Sequence, residues 1–176
     1  TRERIETELR RFPPALSVDF DEAWERMSYV LEEEQLVAWA ETGLKLAQQT
    51  VRSWEAAGQF FKVSPKVADK LPESYFNSWS ETCIALCQDS PSLAASSFQA
   101  SPATLGRLGP RHIETWASLG RGLYKGTWKS TTLSCKFFEA SPDLLKSMTV
   151  AELTRFVSLL DTLSAASYTL LILPQL

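Results

Sequence analysis

Apolar residues recur along this chain in a register that suits helices. Leu31, Leu71, Leu108 and Met148 each precede a large aromatic residue by eight positions, the aromatics being Trp39, Trp79, Trp116 and Phe156. Downstream, Trp39-x3-Gly43-x2-Leu46 and Trp116-x3-Gly120-x2-Leu123 set a ring, a small residue and a leucine on one helix face. A glycine inside a helix costs up to ~1 kcal/mol against alanine, so close approach of a neighbouring helix is expected at Gly43 and Gly120. Cys83 and Leu160 hold that position in the other two copies. A second helix follows, with Trp54, Ala57, Phe60 and Phe61 in one copy and Trp128, Leu133, Phe137 and Phe138 in another as its apolar positions. In the copy between them, Ser90-Pro91 supplies an N-cap and a first helical residue.

The second helix ends each time in the same words. Phe61-Lys62-Val63-Ser64-Pro65, Phe98-Gln99-Ala100-Ser101-Pro102 and Phe138-Glu139-Ala140-Ser141-Pro142 all read Phe-x-small-Ser-Pro, and Trp79, Trp116 and Phe156 stand fifteen residues after the serines. Proline lacks the N–H that continues a helical ladder and disfavours helical geometry at the residue before it. Each Ser-Pro therefore predicts a helix stop, with the serine capping a short third helix that Leu71, Leu108 or Met148 closes onto the core. New helices are expected to begin in Glu32–Leu36, Pro72–Phe76, Gly109–Ile113 and Thr149–Leu153, the last opened by a Thr149/Glu152 capping box. The copies are spaced by 37 and 40 residues, a period that marks stacked helical hairpins.

The expected fold is all-α, an α–α superhelix or solenoid of three to four helical repeats in a single domain spanning 1–176. Residues 32–71, 72–108 and 109–148 form the repeats, and 149–176 a partial C-terminal one. Residues 1–31 form a degenerate N-terminal cap, since an end repeat must turn one face to water. There Pro13-Pro14 breaks a charged helix Thr1–Arg11, and Asp19 or Asp21 starts another through Trp24, Tyr29 and Leu31. The chain opens without Met and stops inside the fourth repeat, so it is expected to be part of a larger protein.

Composition adds an aromatic core and little chemistry. Six Trp and nine Phe against two Met describe a core of large rigid rings. The net charge of −3 argues against nucleic acid, whose binders carry a basic excess. It is unevenly spread: residues 1–60 hold seven basic and twelve acidic side chains, residues 61–176 eleven and nine. Three cysteines make no disulfide framework and point to a reducing, cytoplasmic setting. Cys83 and Cys87 share a helix face, but His112 is the one histidine and no second pair completes a metal site. The late apolar run Leu170–Leu173 meets Pro174 and is far short of the ~20 residues a bilayer needs, so no membrane contact is expected. No phosphate-binding glycine loop or His-Glu-x-x-His is present, and any triad would rest on His112 alone. No catalytic residue, metal or cofactor is therefore assigned.

Two charged groups remain as partner-binding candidates. Glu32-Glu33-Glu34 sit where the helix macrodipole favours acids and would also meet a basic partner. Arg121, Lys125 and Lys129, four apart, would line up for an acidic partner if one helix ran through Gly126. Lys62, Lys66 and Lys70 share that spacing, but Ser64-Pro65 is expected to interrupt them.

The Trp-x2-Leu-Gly-x2-Leu of residues 116–123 resembles the opening of a tetratricopeptide repeat, although the period is longer than that family's ~34 residues. The three-helix unit is closer to the HEAT and armadillo class, with repeats of ~40–47 residues. Trp-x3-Gly-x2-Leu followed by Phe-Phe-x2-Ser-Pro also resembles helical-repeat regions of bacterial von Willebrand factor A-domain proteins of the nitric-oxide-reductase-activation type. The metal-binding signature of the A domain itself is absent. The repeat and the missing catalytic set together predict a non-catalytic scaffold that binds another protein. The competing class is a HEAT-like enzyme or nucleic-acid-binding module, which would gather basic residues in a concave groove.

Overall fold

The computed structural model describes the backbone of residues 1–172 and the side chains of residues 1–166; residues 173–176, the end of the expected partial repeat, lie outside it. Among the described residues there are nine α-helices and no strand. They are α1 (Arg2–Leu9), α2 (Pro14–Met27), α3 (Glu33–Ala47), α4 (Ser53–Ala68), α5 (Glu73–Asp89), α6 (Pro91–Leu108), α7 (Ile113–Leu123), α8 (Trp128–Ser147) and α9 (Val150–Ile172). The even helices pack in order, α2 on α4, α4 on α6 and α6 on α8. Each is also covered by the helix before it, α3 on α4, α5 on α6 and α7 on α8, while α1 meets α3, α5 meets α7 and α7 meets α9.

Local chemistry explains most of the helix starts. Pro14 opens α2 because its fixed φ suits the first helical position. Thr149 and Glu152 form the expected box before α9: the Thr149 N–H donates to Glu152 Oε2 at 2.8 Å, and the Glu152 N–H returns to Thr149 Oγ1 at 3.2 Å. The Glu32 N–H likewise donates to Gln35 Oε1 at 3.0 Å. Gly126, at φ 74°, makes the turn between α7 and α8 in a region other residues avoid.

Three expectations are corrected. The Ser-Pro pairs do not stop the second helix, for Pro65, Pro102 and Pro142 lie inside α4, α6 and α8, and each unit has two helices instead of three. An interior proline costs ~3 kcal/mol or more, but Phe60, Phe61, Val63 and Val67 around Pro65 are buried, each stabilising by ~1.5–3 kcal/mol. Packing on both sides of the break outweighs it. Lys62 and Lys66 consequently belong to one helix. In the N-terminal region α2 starts at Pro14, ahead of Asp19, and ends at Met27, leaving Tyr29 exposed beyond it. Trp128 is the first residue of α8 and is 78% exposed, so it is no core residue.

Candidate functional site

The recurring sequence motif becomes a recurring contact set. Trp39 meets Phe61 edge to face at 5.3 Å between centroids, Trp79 meets Phe98 at 5.5 Å, and Trp116 meets Phe138 at 5.1 Å. Gly43 and Gly120 lie beneath the Phe61 and Phe138 rings, and a Cβ on either glycine would collide with its ring. The close approach expected at these glycines is thus that of a ring from the unit's own second helix. Cys83 takes the same place in α5, where the paired ring, Phe98, comes from a hairpin three residues shorter. Burial pushes the Cys83 thiol up to about 12 and the Cys87 thiol up to about 11, so both stay protonated.

The serine of each Ser-Pro has a different task from capping. Ser64, Ser101 and Ser141 donate to the carbonyls of Phe60, Ser97 and Phe137, four residues back, at 2.6–2.7 Å. Two of them also accept an indole proton: Trp79 Nε1–H donates to Ser101 Oγ and Trp116 Nε1–H to Ser141 Oγ, both at 2.8 Å. Trp39 breaks the pattern. Its Nε1 is buried and has no hydrogen-bond partner among the described residues.

Trp39 also borders a cleft. A cavity of about 300 Å³ opens between α3 and α5, lined by Leu31, Ala38 and Trp39 on one side, Leu71, Phe76 and Asn77 on the other, and Phe60 from α4. The single charged residue in its lining is Glu73, in the first turn of α5, which accepts a hydrogen bond from Gln35 Nε2 of α3. Sequence reasoning assigned Trp39, Phe60 and Leu71 to the core and did not mark the gap between their helices.

The acidic candidates are placed beside this cleft along the chain. Glu32 precedes α3, and Glu33 and Glu34 occupy its first turn, all three exposed. Among the described residues no basic side chain forms an ion pair with them or with Glu73. The basic candidates do not form a stripe, because α7 ends at Leu123 and Gly126 turns the chain before Lys129 enters α8. Arg121 grips Asp89 of α5 through Nε at 2.6 Å and Nη2 at 3.2 Å. Lys125 donates to the Gly122 carbonyl at 2.6 Å and lies 3.4 Å from Asp161. These two cations tie neighbouring helices together.

Lys70, Arg107 and Lys146 line a shallow depression formed with Ala103, Gly106, Pro142 and Asp143. Cations beside helix C-termini are what the macrodipole favours, and Lys146 already pairs with Asp143 at 2.5 Å. Among the described residues no group of three His, Cys, Asp or Glu side chains is arranged to hold a metal, and no helix is long and apolar enough to cross a membrane. No family model matches the chain, and comparisons with curated proteins and with solved structures return no match.

Proposed function

We propose that the chain is a HEAT-like α–α superhelix of three to four repeats, a non-catalytic scaffold that binds another protein and belongs to a larger protein of the cytoplasm. The observation that carries this reading is the Trp–Phe contact repeated in three consecutive hairpins, which supports a repeated unit. Repeated hairpins stacked in order expose an extended surface, the form that suits a polypeptide partner. Residues 1–60 carry seven basic and twelve acidic side chains, which disfavours nucleic acid there. Cross-linking in source cells, followed by reconstitution from purified components, should give a stoichiometric complex that survives gel filtration. Recovery of free chain alone, or retention of duplex DNA in a gel shift at moderate ionic strength, would sink the proposal.

A further inference from the structure

The cleft between α3 and α5 and the carboxylates around it select a particular kind of partner. α5 and α7 pack directly on one another, whereas α3 and α5 leave a cavity of about 300 Å³ over Phe60. That volume is at the low end of the ~300–1,000 Å³ range of ligand pockets, room for one large side chain. The rings of Trp39, Phe60 and Phe76, with Leu31, Leu71 and Ala38, give it apolar walls. Its lining contains no Lys or Arg, and its one charge is the Glu73 carboxylate.

Acids stand at the α3 side of the cleft, while Lys70, next to the lining Leu71, is engaged by the Pro102 carbonyl at 2.6 Å. Glu32, Glu33 and Glu34 lie within three residues of Gln35, which lines the cleft and hydrogen-bonds to Glu73. These four acids have no cationic partner among the described residues, a condition they share with Glu55, Glu81 and Glu114. Helix N-termini account for acids at these positions, but not for an apolar cleft beside them. We infer that this cleft holds a segment of the partner protein in which a large apolar side chain, the anchor, is flanked by lysine or arginine. The inference rests on the scaffold reading and specifies its partner. The anchor buries its apolar surface between Leu31, Phe76 and the Trp39 ring, and the flanking cations sit against Glu73 and the start of α3. An anionic segment would be repelled by these exposed carboxylates, and a wholly apolar one would gain nothing from them.

The probe is a random-sequence peptide display library selected on the purified chain, with binding of the enriched peptides then measured by fluorescence anisotropy. Enriched sequences should pair an aromatic or large aliphatic residue with neighbouring Lys or Arg. Their affinity should fall about tenfold on Ala38→Trp, which fills the cleft, and about threefold on Glu73→Gln, which keeps the acceptor and removes the charge. The loss on raising salt should be smaller for Glu73→Gln than for the parent chain. Thr42→Trp, also in the lining, replaces Ala38→Trp if that variant does not melt like the parent. Enriched peptides that are neutral or acidic overturn the inference. So does binding that folded cleft variants retain in full, an outcome that leaves the scaffold reading standing. Self-association abolished by Ala38→Trp would show a second copy of this chain in the cleft and equally overturn it. A library without enrichment also counts against the cleft, while the scaffold reading remains open to its own reconstitution test.

Discussion

At the scale of single residues, one serine position meets an indole in two units and not in the third. Ser101 and Ser141 accept the indole protons of Trp79 and Trp116 in a fully buried setting, whereas Ser64 bonds only to the Phe60 carbonyl. Removing an acceptor from a buried donor costs ~1–3 kcal/mol. Ser101→Ala and Ser141→Ala should therefore each lower unfolding free energy by ~1–3 kcal/mol in urea titrations, and Ser64→Ala by clearly less. All three substitutions delete the same bond to a carbonyl four residues back; Ser101 also bonds to the Cys83 thiol, so it is the difference between Ser141 and Ser64 that isolates the indole. Equal losses at the three serines would show that the tryptophan bond contributes nothing. This role was not legible in the sequence, where Ser before Pro reads as a cap. Whether a serine hydroxyl meets an indole from the preceding helix depends on how two helices pack.

At the scale of the element, glycines two residues apart in α7 should respond in opposite directions. A Cβ at Gly120 would overlap the Phe138 ring, which is fully buried against Trp116, while a Cβ at Gly122 meets nothing within 4 Å. Alanine gains helix propensity at both sites, up to ~1 kcal/mol. At Gly120 overpacking costs ~1–3 kcal/mol and dominates. Thermal unfolding should show Gly120→Ala destabilised and Gly122→Ala stabilised by ~0.4–1 kcal/mol; stabilisation of both would mean the ring yields. The sequence marked Gly120 through its recurrence with Gly43 at one place in the unit. It misread the Ser-Pro pairs, because local backbone preference opposes a helix there and burial of the flanking apolar residues overrides it.

At the scale of the whole molecule, the central hairpin α5–α6 is flanked by packed helices on both sides, and its thiols report on that. Cys83 and Cys87 are buried, and burial holds them protonated up to about 12 and about 11, whereas Cys135 is partly exposed. Iodoacetamide at pH 8 should alkylate Cys135 first, and Cys83 only at the rate of global unfolding, as read by mass spectrometry of digests. Alkylation of Cys83 at the rate of Cys135 would mean the middle of the stack opens locally.

The sequence by itself determined the helical class and the buried register of Trp39, Trp79 and Trp116 with Phe61, Phe98 and Phe138, though not the exposure of Trp128, because a fixed spacing of aromatic, small and apolar positions puts them on one helix face. It also marked Glu32, Glu33 and Glu34, whose place at a helix start follows from a local dipole. Tertiary structure alone decided that α4, α6 and α8 run through their prolines, that Arg121 is spent on Asp89, and that α3 and α5 part over Phe60. Each of these depends on the distance between helices remote in sequence, which the pattern of one helix does not contain.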